Sequence, residues 1–336
     1  MLKIGLVGFG YWGPNYARVL SDLAGAELAV VCDPSPERLE LARQRYPGVA
    51  TCEDIDALLE RDGVDAVIIA TPASTHEALV RRALEAGRHV LVEKPMALRV
   101  EPGAALAELA AAAGRVLMVG YTFLYNAGVR KMKEGMAPDA FGDVYYLHAT
   151  RTNLGPIRTD VNVVWDLAPH DIAIFNYLLG GEPRWASAIG ARVLHTSRDD
   201  IAFVTLGYAN EVLGNIHVSW ADPNKVRESV AVGTRRRVVF NDLNDGEPVR
   251  YFHRGGSDNG ATADSFGEFK LLGRHGDIVS PKVEPGEPLK TQCLEFIECI
   301  ARGRTPLADG RFALGVIRTL AAIDRSMQSK GATVEV

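Results

Sequence analysis

The strongest constraint on the fold lies in the first thirteen residues, where a short apolar run is followed by three closely spaced glycines. Leu2–Val7 is predicted to be a buried strand, and Gly8, Gly10 and Gly13 follow it in the spacing G-x-G-x-x-G. The first glycine allows a tight turn, the second lets the backbone approach a pyrophosphate, and the third lets a helix pack closely on the strand. Free N–H groups at the start of that helix face the anion. Because the glycines lie between a strand and a helix, they predict a dinucleotide-binding unit.

An acidic residue at the end of the second predicted strand supports this interpretation. Asp33 directly follows the apolar run Ala26–Cys32. A carboxylate there can accept hydrogen bonds from both ribose hydroxyls of an adenosine, and it repels a 2′-phosphate. We therefore expect NAD to be preferred over NADP. Two alternatives stay open, since Asp33 also suits a helix cap and the nearby Arg38 could weaken the discrimination against NADP.

Length and composition limit the class of protein. A chain of 336 residues exceeds one ordinary domain, so two domains are expected. A net charge of −5 gives no reason to expect nucleic acid or an anionic membrane as a partner. There is no apolar run of the roughly 20 residues that a spanning helix needs, and no signal sequence is recognised. The four cysteines lack metal-ligand spacing, so we expect reduced thiols, no metal site and a cytoplasmic protein.

The order of predicted elements changes about a third of the way along the chain. In residues 1–122, short apolar runs alternate with helical segments, which predicts an α/β Rossmann domain with a doubly wound parallel sheet. In residues 123–336, consecutive strand-like segments predict an α+β domain with an open, mostly antiparallel sheet for substrate binding and oligomerisation. An open apolar sheet face must be covered, so we expect a homodimer or homotetramer. The glycine-rich stretch 255–276 is predicted to be a mobile loop.

Two further strand ends carry chemistry. Ligands of an open α/β sheet lie beyond the carboxyl ends of its strands. Thr71 and Pro72 follow one predicted strand and are expected to lie along the cofactor, with His76 at the start of the next helix. Glu93 and Lys94 end the next strand. The following proline restricts the backbone after the lysine, an arrangement that a lysine serving only solubility would not need.

The second domain offers one acid and one base on the same helix. Asp166 and His170 are four residues apart, one helical turn, so they share a face. Histidine titrates near neutrality and can take a proton from a hydroxyl as hydride leaves the same carbon. With an unperturbed pKa of ~10.4, Lys94 is better suited to polarise the alcohol as a cation. Pro169 is expected in the first helical turn, and Asp171 is expected to support the helix start.

These motifs occur together in an order that resembles the glucose–fructose oxidoreductase / inositol dehydrogenase family, Gfo/Idh/MocA. The resemblance rests on the glycine loop, Asp33, Thr71-Pro72, Glu93-Lys94-Pro95 and the Asp166…His170 pair. It implies a Rossmann domain, a second domain whose sheet forms dimers or tetramers, and hydride transfer at a carbohydrate-like carbon. It also implies that Lys94 is the active-site lysine, His170 the proton-transferring histidine and Asp166 a contact to substrate hydroxyls.

The sequence around the glycine loop is similar to a branch associated with nucleotide-sugar and amino-sugar pathways. The expected cofactor contacts are Gly8, Phe9, Gly10, Tyr11, Trp12, Gly13, Asp33, Thr71, Pro72, His76, Glu93 and Lys94. Tyr125 and Asn126 stand where many relatives carry a basic residue, and they are expected to offer neutral contacts to substrate. Among the cations of the second domain, which include Arg151, we expect Arg158 and Lys225 to contact an anionic substrate group.

Four functions are compatible with these residues. The leading hypothesis is an NAD-dependent dehydrogenase that oxidises a ring hydroxyl, most plausibly on a nucleotide-linked hexose, with Lys94, His170 and Asp166 as catalytic residues. Alternatives are an NADH-dependent keto-sugar reductase or inositol-type dehydrogenase, a redox-neutral NAD-dependent glycosidase, and a non-catalytic dinucleotide sensor. The sensor is disfavoured because it would need only the glycines and Asp33, not Lys94 and His170.

Overall fold

The computed structural model describes residues 1–155, 157–158, 160–194, 197–255 and 274–336. The chain divides into two units. The first comprises Met1–Tyr125 with Glu287–Ala321, and the second comprises Asn126–Gly286 with Ala322–Val336. The sequence predicted a division into 1–122 and 123–336, whereas the structure groups Glu287–Ala321 with the first unit. The helix that follows residue 287 packs on the helix Gly13–Ser21 and on the 3-10 turn Thr122–Tyr125.

The first unit contains a six-stranded parallel sheet in the order β3-β2-β1-β4-β5-β6. Its strands are β1 Leu2–Val7, β2 Ala26–Cys32, β3 Ala50–Cys52, β4 Ala66–Ile69, β5 His89–Glu93 and β6 Leu117–Gly120. Its helices are α1 Gly13–Ser21, α2 Pro36–Arg45, α3 Ile55–Leu59, α4 Ala73–Glu85, α5 Val100–Ala112 and α9 Pro288–Arg302, with a 3-10 turn at Thr122–Tyr125. The predicted Rossmann fold is confirmed.

The register of this sheet aligns the ends of its four central strands. Val7 of β1 pairs with Cys32 of β2 and with Ile69 of β4, and Ile69 pairs in turn with Val92 of β5. These strands are buried, as expected for a parallel sheet covered by helices on both faces. The residues that follow them therefore emerge side by side along one edge of the sheet.

The second unit is built on a nine-stranded sheet in the order β14-β13-β12-β11-β7-β10-β9-β8-β15. Its strands are β7 Val144–Thr152, β8 Trp185–Ala191, β9 Ile201–Gly207, β10 Leu213–Ser219, β11 Val226–Gly233, β12 Arg236–Asn241, β13 Val249–Gly255, β14 Arg274–Val279 and β15 Val334–Glu335. Its helices are α6 Ala127–Gly135, α7 Pro138–Phe141 and α8 Val163–Leu179, and α10 Gly310–Gln328 ends within this unit. All pairs are antiparallel except β7 with β10, which confirms the predicted mostly antiparallel sheet.

The alternation of buried and exposed residues shows which face of this sheet is covered. Helix α8 packs on β7, β9 and β10. The side chains on the opposite face include Phe203, Leu213 and Ile189, which are 55%, 44% and 62% exposed. This face therefore leaves an apolar surface uncovered within one copy of the unit. No helix among the described residues combines the length and apolarity needed to cross a membrane.

Two local expectations differ from the structure. Helix α8 begins at Val163, not near Asp166, because the Asn162 side chain accepts the Trp165 N–H at 3.1 Å and caps it there. Pro169 consequently lies inside the helix and not in its first turn, where it removes one intrahelical hydrogen bond. Of the stretch predicted as a mobile loop, residues 256–273 lie outside the described residues, and the remainder borders or belongs to β13 and β14.

Candidate active site

The glycine loop has the geometry that a pyrophosphate requires. Gly8 has φ of +93°, a conformation that residues with a side chain rarely adopt, and a Cβ there would lie 2.8 Å from the Ala70 carbonyl oxygen. A Cβ on Gly13 would lie 2.3 Å from the Gly8 carbonyl oxygen. Both positions therefore require glycine, and the cradle that they form at the start of α1 fits a dinucleotide phosphate. Tyr11 and Trp12 are exposed at its rim, with their rings edge to face at 6.0 Å.

Asp33 lies beside this loop at the end of β2. Its carboxylate accepts the Phe9 N–H at 2.7 Å and the Ser35 N–H at 2.9 Å. The cap of α2 is Ser35, whose hydroxyl accepts the Arg38 N–H, so Asp33 is not the helix cap. The Arg38 guanidinium lies 3.4 Å from the Asp33 carboxylate, which is 1% exposed. Phe9 is buried and contributes its backbone, not its ring.

Lys94 lies at the same edge, at the end of β5, and is half-buried. The Lys94–Pro95 peptide bond is cis. The Glu93 carboxylate points into the unit, where it accepts the Tyr16 hydroxyl at 2.7 Å and the Lys94 N–H at 3.3 Å. Burial raises the pKa of Glu93, and Tyr16 and Lys94 oppose that rise. Glu93 therefore anchors the end of β5 to Tyr16 of α1 through its side-chain hydrogen bond.

A polar network extends from Glu93 that sequence reasoning missed. The Gln292 side-chain amide donates to the Tyr16 oxygen at 3.1 Å, and the Thr122 hydroxyl donates to the Gln292 carbonyl at 3.1 Å. Tyr16 and Gln292 are both completely buried. From sequence, a tyrosine within an apolar helix pattern is interpreted as a core residue, so Tyr16 was not recognised. Gln292 was not recognised because it lies almost 200 residues from Lys94 in sequence. Only the folded unit connects them.

His76 is 1% exposed on α4 and joins two strand ends. Its Nδ1 lies 2.7 Å from the Pro95 carbonyl oxygen, and its Nε2 lies 2.9 Å from the Thr71 carbonyl oxygen. The Thr71 hydroxyl is 2.7 Å from that of Thr75, which also donates to the Pro72 carbonyl. The ring is thus directed at backbone groups on either side of it.

In the second unit, α8 carries Asp166 and His170 on one face. Asp166 accepts the Trp220 indole N–H at 3.2 Å and an Arg158 N–H at 3.3 Å. Arg158 also binds both carboxylate oxygens of Asp160, which raises the pKa of Arg158 and lowers that of Asp160. The structure therefore places the Arg158 guanidinium next to Asp166, one of the predicted catalytic residues. His170 is partly exposed.

The remaining predicted substrate contacts are Tyr125, Asn126 and Lys225. Tyr125 is 2% exposed, and the Asn126 side chain caps α6 by accepting the Gly128 N–H while donating to Asp242. The Asn126 amide is therefore hydrogen-bonded within the second unit. Lys225 is exposed. The described residues contain no group of three or more His, Cys, Asp or Glu side chains arranged to hold a metal ion.

Asp171 and Arg151 form an ion pair that the sequence did not reveal. The Arg151 guanidinium donates to both Asp171 oxygens, at 2.9 and 2.8 Å, and the two side chains are 6% and 1% exposed. Arg151 is therefore not available to a substrate anion, and Asp171 does not support the start of α8. The pair joins α8 to β7 in the interior.

The first unit thus belongs to the class of NAD-binding Rossmann domains. The model of the oxidoreductase family with an NAD-binding Rossmann fold matches residues 2–121, and that of the GFO/IDH/MocA C-terminal domain matches residues 129–239. Together they cover more than half of the chain, which belongs to the Gfo/Idh/MocA family of oxidoreductases. The resemblance predicted from the sequence is confirmed.

Four similar proteins illustrate what this chain resembles. The chain is 30% identical over 260 residues, 76% of this chain and 78% of the relative, to UDP-N-acetylglucosamine 3-dehydrogenase of Acidithiobacillus ferrooxidans. It is 27% identical over 323 residues, 91% of this chain and 88% of the relative, to scyllo-inositol 2-dehydrogenase (NAD(+)) of Bacillus subtilis. The solved structure of GenD2 from gentamicin A biosynthesis, in complex with NAD, is 26% identical with a TM-score of 0.83, covering 100% of this chain and 96% of that one. The chain spans a smaller share, 60%, of an uncharacterized oxidoreductase from Streptococcus pneumoniae.

Proposed function

We propose that this protein is an NAD-dependent dehydrogenase that oxidises a ring hydroxyl of a sugar, and that this sugar is a nucleotide-linked hexose. The observation that carries the proposal is the alignment of strand ends in the first unit. The glycine loop, Asp33 and Lys94 follow β1, β2 and β5 at one edge of the sheet. A dinucleotide bound along this edge would extend from the ribose-binding carboxylate towards a lysine that can polarise an oxygen.

The choice of NAD over NADP rests on Asp33. Its buried carboxylate repels a 2′-phosphate, whereas it can accept a ribose hydroxyl once the Arg38 side chain, which is about half exposed, moves aside. The Asp33→Ser substitution should therefore lower the ratio of NAD to NADP affinity. Titration of both reduced cofactors by fluorescence measures that ratio, and an unchanged ratio would remove Asp33 from cofactor discrimination.

The chemistry is assigned to three side chains. When bound, NAD supplies the hydride acceptor. Lys94 holds the substrate hydroxyl and stabilises negative charge that develops on its oxygen, and His170 takes the hydroxyl proton. Asp166, oriented by Trp220 and Arg158, accepts hydrogen bonds from neighbouring substrate hydroxyls. The protein thus contributes orientation and proton transfer.

The named relatives support the proposed substrate class, and the test compares two of their substrates. A thermal-shift screen would use NAD(H) and NADP(H), each alone and then with UDP-sugars, free sugars or inositols. Ligands that bind the native state raise its melting temperature by mass action. We expect a shift with NAD that grows with a UDP-sugar. Growth with an inositol instead would favour the inositol-type alternative, to whose named relative the chain aligns over 91% of its length.

The catalytic assignment is tested separately. Lys94→Ala and His170→Ala should each abolish turnover of the UDP-sugar that gives the shift, while NADH binding stays near that of the unchanged protein. Lys282→Ala, an exposed cation of the second unit with no predicted contact to substrate, is the matched control for loss of a positive charge. Near-normal turnover in both active-site variants would refute the assignment.

We also propose that the protein is a homo-oligomer that covers the open face of the nine-stranded sheet. Phe203 stacks on His217 at 4.4 Å on this face, next to exposed Leu213 and Ile189. An apolar surface of this kind is typical of a subunit interface. The self-complementary use of one face would give a dimer with two-fold symmetry.

A further inference from the structure

The two contacts of His76 constrain the charge of its ring. Carbonyl oxygens only accept hydrogen bonds, and a neutral imidazole carries a single N–H. Nδ1 lies 2.7 Å from the Pro95 oxygen and Nε2 lies 2.9 Å from the Thr71 oxygen. In a neutral ring, one of these oxygens would face a nitrogen lone pair at hydrogen-bond distance, which is repulsive. Both contacts are favourable only if both nitrogens carry protons.

We propose that His76 is held as an imidazolium that ties the Thr71 and Pro95 carbonyls together and thereby positions Lys94. Hydrogen bonds from a charged donor are about twice as strong as neutral ones, which offsets part of the cost of burying the charge. The inference rests on the proposed function for its catalytic consequence. The charge state of the ring does not depend on it.

The position of this tie explains how it would act on catalysis. Thr71 follows β4 and Pro95 follows Lys94 at the end of β5, so one side chain spans two neighbouring strand ends. Pro95 is the next residue to Lys94, and fixing its carbonyl fixes the backbone from which the lysine projects. Glu93 supports the same strand end from the other direction through Tyr16. His76 is therefore a positioning residue for Lys94 and not a contact to substrate.

The charged residues nearest to the tie in sequence are Glu77 and Arg81 on α4, and Glu93 and Lys94 before Pro95. The Glu77 carboxylate lies 4.0 Å from the Arg81 guanidinium and 4.0 Å from that of Arg99. The free N–H groups at the start of α4 disfavour a cation near the helix N-terminus. The two carbonyl oxygens accept both N–H groups of the protonated ring and so stabilise its charge.

Strand β5, which leads to Lys94, contains a second histidine that serves as a matched control. His89 begins β5, and its Nδ1 accepts the Val116 N–H at 3.0 Å. Its Nδ1 is therefore unprotonated, and burial together with Arg115, whose guanidinium lies 3.4 Å from Nε2, lowers the pKa of His89. His89 should be a neutral ring with a proton on Nε2, in the same unit and under the same conditions as His76.

The charge is tested in the unchanged protein by long-range ¹H–¹⁵N correlation spectra near neutral pH, with His76→Gln and His89→Gln assigning the two rings. We expect two protonated nitrogens for His76 and one for His89. A single protonated nitrogen on His76 would overturn the proposal. This measurement requires no substrate, and the variants serve only to assign the two rings.

The positioning role is tested by kinetics and by hydrogen exchange. In His76→Gln, kcat with NAD and the UDP-sugar identified by the thermal screen should fall about 10²-fold, as expected when a reacting group is displaced by about 1 Å. The NADH dissociation constant should change less than about threefold, since the glycine loop and Asp33 remain. Hydrogen exchange should rise in peptides that cover residues 70–76 and in peptides that cover residues 93–97. His89→Gln should change neither kcat nor hydrogen exchange.

The outcomes separate this inference from the proposed function. An unchanged kcat and unchanged exchange in His76→Gln would refute positioning, whatever the activity of other variants. Turnover retained in Lys94→Ala would refute the proposed chemistry and leave the imidazolium to be decided by its spectrum and by exchange. If no UDP-sugar is turned over, the proposed function fails while those two measurements still support or overturn the tie.

Discussion

The buried ion pair between Arg151 and Asp171 allows the most direct test of the second unit's energetics. The Arg151 and Asp171 side chains are 6% and 1% exposed, and two hydrogen bonds of 2.8 and 2.9 Å join them. Asp171→Ala would leave the guanidinium in the interior without this carboxylate. Breaking such a pair from one side costs about 3–5 kcal/mol, because the remaining charge has lost its solvation and its partner.

This cost should be visible in the melting temperature. For units of about 150–250 residues, each kcal/mol shifts the melting temperature by about 2–4 °C, so Asp171→Ala should lower it by roughly 6–20 °C. The double substitution Arg151→Met with Asp171→Leu should recover most of the loss, since a buried pair replaced by apolar side chains of similar volume is often as stable as the original. The recovery distinguishes the cost of removing the carboxylate's charge from simple loss of packing.

The assays are thermal unfolding and urea unfolding, both followed by circular dichroism at a fixed protein concentration, because subunit association would also change the apparent stability. Glu284→Ala is the control, since its ion pair with Lys282 is exposed on both sides and should contribute nothing measurable. A loss of less than about 1 kcal/mol in Asp171→Ala, or a double variant no more stable than the single one, would refute the reasoning.

Three further outcomes are expected. Gly13→Ala places a Cβ 2.3 Å from a backbone oxygen and should abolish NADH binding measured by fluorescence, whereas Gly48→Ala, with nothing within 4 Å, should not. Burial raises the pKa of Glu93, so the native state keeps the Glu93 proton to a higher pH than the unfolded chain does, and the free energy of unfolding should fall as pH rises from the ordinary glutamate pKa to the raised one. Glu93→Gln should remove this pH dependence, measured by urea unfolding at several pH values. The same pH dependence in the variant would contradict the prediction. Phe203→Glu on the open sheet face should reduce the molar mass measured by light scattering, while Leu41→Glu, another exposed apolar position, should leave it unchanged.

Much of the first unit was predictable because its signals are local. The glycine spacing, the acid after β2 and the lysine after β5 each lie within a few residues of a strand end, and parallel sheets bring such ends to one edge. The Asp166…His170 spacing likewise indicates a shared helix face. Those features follow from the period of the backbone and from where each element stops.

The contacts that orient these groups were not predictable, because they join residues far apart in sequence. Tyr16, Gln292 and Glu93 meet only in the folded unit, and none carries a pattern that separates it from core or surface. Arg151 read as one of several surface cations until the structure showed it buried against Asp171.

The sequence by itself therefore determined the Rossmann unit, the change to an antiparallel sheet and the residues available for hydride-transfer chemistry, since each depends on short-range pattern. Tertiary structure decided how those side chains are oriented and which hydrogen-bond partners they have. It placed the Glu93 carboxyl inward, tied Arg158 to Asp166 and enclosed His76 between two carbonyl oxygens. The physical reason is that burial and hydrogen-bond partners set the charge and orientation of a side chain, and both arise only when distant segments pack together.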